Sequence, residues 1–327
     1  MGGALDIYFI FDRTASMGED CDYEQGGTPP TDSKACYSTF ALPDYLTSVN
    51  PNEQDIRLAF QFMSLPDEGC DGGPYSTPLV DLTELPLAAD HQIIQAISDE
   101  QFAGGYGTEI EGALNGIAAY TAANQVAGRE MIGVLMTDGD PNGCEDDVAS
   151  LAGIVSAHLE ATGIRTFIIG MEGATGSNLE EMALAGGAEP HDDFCSPDVD
   201  GPCHHWNVGN GSGDAIADAL RAIVQQAVPL ACNYEVVNLQ APQGETLDYG
   251  KVNVTLTEGG VATTIGQVPN QSSCPTDQPA WYYDNPAAPT QLLLCDNACT
   301  LATQAAQGAR LSIVVGCQET VEIDIPE

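Results

Sequence analysis

The chain has 327 residues, and eight Lys+Arg stand against 48 Asp+Glu, a formal charge of −40 at pH 7. Such a surface repels nucleic-acid phosphate and anionic headgroups, which argues against nucleic-acid or membrane-surface binding and favours cations and basic partners. The 43% apolar content allows a sizeable core, and the length suits about two domains.

No apolar run approaches the ~18 residues that span a bilayer. Eleven cysteines occur without a matched pair of Cys-x-x-Cys motifs. Disulfides in an exported protein, secreted or at the cell surface, are the better reading. An odd count implies one free or intermolecular thiol. Met1-Gly2-Gly3 leads straight into strand-like sequence, with no signal peptide, as expected for a mature form with an added start codon.

In chain order, apolar runs at 4–11, 55–63, 130–137 and 164–170, with a weaker one at 204–208, predict strands. Helical periodicity appears between them at about 88–101, 109–123, 145–161, 177–185 and 213–228. Near-continuous apolar strands alternating with helices predict a doubly wound α/β domain over residues 1–230, its mostly parallel sheet covered by helices on both faces. Residues 231–327 change character. Short alternating segments at 233–237, 251–256, 261–265, 291–294, 311–315 and 321–325, a short helix at 297–306 and five cysteines predict a small, disulfide-stapled β-rich domain.

The first strand ends in Asp12-Arg13-Thr14-Ala15-Ser16, and the run at 130–137 ends in Thr137-Asp138-Gly139-Asp140. Ligands of doubly wound sheets bind outside the carboxyl ends of the strands. Asp12, Thr14 and Ser16, spaced by two, can point to one side of an extended turn. Gly104-Gly105-Tyr106-Gly107-Thr108 adds a hydroxyl at the opening of a helix. An all-oxygen donor set, Asp12, Thr14, Ser16, Thr108 and Asp138, selects a hard divalent cation, Mg²⁺, Mn²⁺ or Ca²⁺. Three neutral hydroxyls leave such a cation undercompensated and open to an outside oxygen.

On these residues the chain resembles the von Willebrand factor A, or integrin-I-like, domain with its metal-ion-dependent adhesion site, of the bacterial secreted or surface type. The family pattern of Asp-x-Ser-x-Ser, a distant Thr and a later Asp corresponds to Asp12, Thr14, Ser16, Thr108 and Asp138, with Thr14 keeping the hydroxyl. The resemblance covers roughly residues 4–230. It implies an adhesion or ligand-binding module, not an enzyme, whose cation binds a partner's carboxylate. It also suggests a second, regulatory cation at Glu19 and Asp20, where a solvated acidic loop is the simpler account.

Asp138-Gly-Asp140-Pro-Asn142-Gly143 matches the first half of an EF-hand loop, but the twelfth position is Ala149 where a bidentate Glu is required. Asp140 and Asn142 are minor candidates for a further cation contact. His191, Asp192, Asp193, His204 and His205 surround Cys195 and Cys203 and offer a transition-metal site, against which stands a polar loop closed by a disulfide. The loops after the strands at 55–63 and 130–137 emerge at the same sheet edge, so Cys70 and Cys144 are expected to pair and brace it. Cys21–Cys36 and Cys195–Cys203 are expected as local closures and Cys232–Cys317 as a staple of the small domain, with one of Cys274, Cys295 and Cys299 unpaired.

The leading reading is thus an extracellular adhesion module whose partner's carboxylate is flanked by basic groups, because the acidic rim would repel a bare acid. The alternative is a calcium-stabilised structural subunit of a surface layer or fibre. A metal-assisted hydrolase with Asp140 as general base ranks last.

Overall fold

The computed structural model describes residues 4–18, 21, 27–29, 32–49, 55–65, 70–99, 107–227, 232–236, 248–258, 261–303 and 310–315. The chain divides into two compact units, Ala4–Ala227 and a second formed beyond Ala227.

The first unit runs β1 (Ala4–Asp12), α1 (Lys34–Ser48), β2 (Asp55–Met63), β3 (Val80–Glu84), α2 (Gln92–Asp99), α3 (Ile110–Asn124), β4 (Glu130–Thr137), α4 (Val148–Thr162), β5 (Arg165–Gly170), α5 (Gly176–Ala185), β6 (Trp206–Asn207) and α6 (Ala215–Ala227). The sheet order is β3-β2-β1-β4-β5-β6. All pairings are parallel except β2 with β3. Parallel strands covered on both faces must be apolar almost throughout, and β1 is buried from Leu5 to Asp12. One face carries α3, α4 and α5 packed in succession, and the other carries α1, α2 and α6. Ile117, Leu151 and Leu179 of the first set close over Tyr8, Ile10, Leu135 and Ile168. Gly133 on β4 admits α3, since a Cβ there would lie 2.2 Å from Ile117 Cγ2.

Two elements depart from expectation. The helix α1 lacks a clear apolar stripe because both faces are occupied: Ala35, Ser38, Thr39, Leu42, Pro43 and Leu46 are all buried. Among its buried hydroxyls, Thr39 donates to the Ala35 carbonyl at 2.9 Å and Ser38 to Met171 Sδ at 3.8 Å. The antiparallel edge strand β3 is only partly buried and so lacks a long apolar run.

The second unit contains β7 (Asn233–Glu235), β8 (Val252–Glu258), β9 (Val261–Gln267), β10 (Ala280–Tyr283), β11 (Gln291–Leu294), α7 (Asp296–Thr303) and β12 (Arg310–Val315). They form a sheet ordered β12-β8-β9-β10-β11-β7, antiparallel except between β9 and β10. Trp281, Tyr234, Val254, Leu292 and Ala298 build its core. The strand expected at 321–325 lies outside the described residues.

Five disulfides join the ten described cysteines: Cys21–Cys36, Cys70–Cys144, Cys195–Cys203, Cys232–Cys299 and Cys274–Cys295. The expected Cys232–Cys317 staple is therefore corrected, as is the expectation of an unpaired thiol among Cys274, Cys295 and Cys299. The reason is the register of β7 on β11. It sets Cys232 beside the end of β11, where its carbonyl accepts Leu294 N at 2.7 Å, and α7 then brings Cys299 round one turn later. Cys317 lies outside the described residues.

At the amino end of the first sheet, buried Asp6 ties three strands together. Its Oδ1 accepts from Arg57 Nε at 2.8 Å and Arg129 Nε at 2.7 Å, and Arg57 also reaches Oδ2 at 2.5 Å. Arg129 continues to Asp55 Oδ2 at 2.7 Å. Removing the acid would leave two guanidiniums facing each other across a partly dry edge. Asp6→Asn is expected to cost about 3 kcal/mol in urea unfolding, more than the same change at the exposed Asp218.

Candidate metal centre

The order β3-β2-β1-β4-β5-β6 reverses its direction of winding between β1 and β4, which opens a crevice at their carboxyl ends. Asp12 ends β1, and Asp138 follows Thr137 at the end of β4. The turn after Asp12 is drawn in tightly: Thr14 N donates to Asp12 Oδ1 at 2.8 Å, and a short 3₁₀ turn, Ala15–Met17, follows. It delivers Thr14 Oγ1 and Ser16 Oγ to within 2.8 Å of each other. Both hydroxyls face Asp138 Oδ1, Ser16 at 2.9 Å and Thr14 at 3.5 Å. Thr137 Oγ1 crosses back to donate to Asp12 Oδ2 at 2.6 Å.

Four of the five residues singled out in the sequence thus form one hydrogen-bonded cluster. Thr108 joins from the loop before α3, its backbone held reciprocally by Asn142: Thr108 N donates to Asn142 Oδ1 at 3.1 Å, and Asn142 N to the Thr108 carbonyl at 3.0 Å. Its hydroxyl packs on Gly139, next to Asp138, so closely that a Cβ there would lie 2.9 Å from Thr108 Oγ1.

Asp12, Asp138, Thr14 and Thr108 are buried, while Ser16 is exposed, so the cluster opens to solvent on the Ser16 side. Burial, and then the neighbouring Asp138 charge, push the Asp12 carboxyl up to about 6 against the opposing bonds from Thr137 and Thr14. Asp138 Oδ2 is buried without an aligned hydrogen-bond donor, although Lys34 Nζ lies 2.5 Å away as an ion pair. Two buried carboxylates and neutral hydroxyl oxygens, with a single ammonium as counter-charge, fit a hard divalent cation.

Other acids near this edge serve the chain itself. Asp140, expected as a second ligand or general base, has both oxygens engaged at the start of α5. Thr175 N and Asn178 Nδ2 reach Oδ1 at 2.9 and 3.2 Å, and Thr175 Oγ1 reaches Oδ2 at 2.8 Å. The loop after β5 passes directly over the loop after β4, which sequence spacing does not reveal. Asp147 caps α4 through Ser150 N at 3.0 Å, and Glu145 Oε1 accepts from Asp146 N and Asp147 N. Glu19 and Asp20 lie outside the described residues. Glu109, beside Thr108, was not foreseen as part of the site. It is buried, and its carboxylate accepts from Tyr75 Oη at 2.7 Å, securing the start of α3. Cys70–Cys144 joins the loops after β2 and β4.

No protein-family model matches the chain, and no curated protein does. Among solved structures, the VWA domain of SpRpn10 is similar at 15% identity, over 66% of this chain and 94% of that one, with a TM-score of 0.39. Proximal thread matrix protein 1 from the mussel byssus is similar at 18% identity and a TM-score of 0.32. A form of it described as having a zinc-occupied MIDAS motif gives 17% and 0.29. The similarity covers 55% of this chain and 39% of the byssus protein's length.

The histidines expected as a transition-metal site are divided among other partners. Ligand atoms of His191, Cys195 and Cys203 cluster within 4.8 Å, but both sulfurs are spent in a disulfide, and His191 stacks on Trp206 with ring centroids 4.5 Å apart. His204 Nδ1 and His205 Nδ1 instead converge on Glu180, at 2.5 and 2.8 Å. His205 Nε2 faces Ser196 Oγ at 2.8 Å, and Asn207 Nδ2 donates to that same oxygen at 2.9 Å. His205 and Ser196 are both buried, so the chain Glu180–His205–Ser196–Asn207 fastens the 191–207 segment to α5.

Burial raises the Glu180 carboxyl, but bonds from the backbone and rings of His204 and His205 outweigh it and bring the group down to about 2. A depressed carboxyl contributes stability above its unfolded pKa and loses it as pH falls through the folded value, here from about 4.5 to about 2. Discounted for partial exposure, the contribution is about 2 kcal/mol at neutral pH. Urea unfolding of Glu180→Gln should show that loss at pH 7 and only a small remainder of it near pH 2.

Proposed function

We propose that the chain is a non-enzymatic, exported adhesion or ligand-binding module of the von Willebrand factor A type. In this reading Asp12, Thr14, Ser16, Thr108 and Asp138 hold Mg²⁺, Mn²⁺ or Ca²⁺. The observation that carries it is the convergence of the Thr14 and Ser16 hydroxyls on Asp138 Oδ1, next to buried Asp12, at the point where the sheet's winding reverses. Five disulfides support an oxidising, extracellular setting.

When bound, the cation supplies a Lewis-acidic face for an outside oxygen. The chain's own residues do the rest. Thr137 and Thr14 N aim the Asp12 carboxylate, Asn142 fixes the Thr108 backbone, and the exposed Ser16 side leaves an approach for a partner's carboxylate. With a formal charge of −40, a partner that carries basic groups around its carboxylate is favoured over a bare acid.

Calorimetry on the chelator-stripped full chain tests this. Mn²⁺ and Mg²⁺ uptake is expected in the parent and its loss in Asp12→Asn, with the circular dichroism spectrum unchanged. A parent that takes up no divalent cation would refute the reading. A second expectation follows from the packing of Thr108 on Gly139: Gly139→Ala should displace that hydroxyl and weaken Mn²⁺ binding about tenfold, roughly the effect of losing one interaction of 1.4 kcal/mol.

A further inference from the structure

Lysine is scarce in this chain. It has two, Lys34 and Lys251, and Lys251 lies in an exposed i,i+3 pair with Asp248. Lys34 is the first residue of α1, where the helix macrodipole disfavours a cation. Yet its side chain is drawn inward to 17% exposure, and its ammonium stands 2.5 Å from Oδ2 of fully buried Asp138. The same Nζ donates to the Glu172 carbonyl at 2.5 Å.

The surroundings hold the lysine in this place. Ser33 caps α1 by accepting Cys36 N at 3.1 Å, and Cys36 is bonded to Cys21 in the loop that leaves the candidate centre. Gly18 lies against Ser33 at a φ of +94°, so close that a Cβ there would lie 3.1 Å from Ser33 Cβ. Gly173, at a φ of +120°, lines the other side: a Cβ would lie 2.7 Å from the Asp138 carbonyl oxygen and 3.2 Å from Lys34 Nζ. Asp138 therefore faces two different environments, hydroxyls at Oδ1 and an ammonium at Oδ2.

We propose that Lys34 is a tethered counter-ion that competes with the divalent cation for Asp138, so that cation loading displaces its ammonium and the affinity of the centre is set below that of its bare oxygens. The inference rests on the metal reading above and adds the element that tunes it. One lysine balances one of two buried acids. The centre is thereby kept compact without metal, while a net negative charge remains to attract one. An ammonium can exchange in this way because it is a compact charge on a flexible stem, unlike a bidentate guanidinium.

Calorimetry of the chelator-stripped full chain with Mn²⁺, comparing the parent, Lys34→Met and Lys34→Gln, reads the competition. Both variants are expected to bind at least tenfold more tightly, and to melt at a lower temperature than the parent in chelator. A measurement on the unmutated chain runs beside it. Selective ¹³C-lysine labelling gives two side-chain Cε signals, assigned with Lys251→Gln, and Mg²⁺ should move that of Lys34 alone. Equal Mn²⁺ affinity in parent and variants, or a Lys34 signal unmoved at saturating Mg²⁺, would overturn the competition while leaving the metal centre standing. No uptake in any of the three proteins would overturn both.

Discussion

Two carboxylates, Asp12 and Asp138, are buried side by side at the ends of adjacent strands in a chain of strongly negative charge, and the architecture around them answers that charge. An ionised acid out of water is tolerated only with donors or counter-charge about it. Here the donors are mostly neutral hydroxyls, and the one basic side chain bonded to the pair among the described residues is Lys34. The same strand shows the opposite solution at its other end. Asp6, equally buried, is met by two guanidiniums, one of them shared with Asp55. One end of β1 is thus closed electrostatically, and the other is left with an unmet negative charge. That asymmetry, more than the presence of acids, is what makes the carboxyl edge the candidate cation site.

Topology supplies the place and the loops supply the shape. With α1 on one face of the sheet and α3 on the other, the β1/β4 boundary is where the winding reverses, and both acids sit at the carboxyl ends of those two strands. Loops of this length gain positional definition only from cross-links and specific bonds. Cys21–Cys36 ties the stretch after β1 to α1, and Cys70–Cys144 ties the stretch after β2 to that after β4. Asn142 performs the same service for Thr108 with hydrogen bonds alone, and Glu109 anchors the adjoining start of α3 to Tyr75.

Much of this was legible in the sequence, and the omissions share a physical cause. The strands β1, β2, β4 and β5 are buried on both faces, so their composition alone betrays them; the amphipathic helices betray themselves by period. The helix α1 does neither, because it is enclosed and carries Pro43 and buried hydroxyls. Missing α1 also hid Lys34, whose approach to Asp138 depends wholly on where that helix begins. Spacing located Asp12, Thr14, Ser16 and Asp138 because they ride on strand ends, whereas the bonds of Asp140 depend on how the β5–α5 loop crosses its neighbour. The partner of Cys232 was hidden likewise, since several loop closures were open to it and only the β7–β11 register decides among them.

The acidic loops illustrate why composition alone misleads about ligand sites. Asp140, Glu145 and Asp147 lie close in sequence and would serve equally well on paper as calcium ligands. In the structure their oxygens bond backbone amides and hydroxyls of α4, α5 and the turns before them, groups that a helix start leaves unsatisfied. Negative charge at a helix amino end is stabilised by the helix itself and needs no metal. Asp12 and Asp138 cap no α-helix: they stand at strand ends, Asp12 takes the single backbone amide of Thr14, and hydroxyls and a lysine are gathered around the pair. A carboxylate asks for a cation where the backbone offers it too few donors, and in this unit that condition is met at the switch point of the sheet.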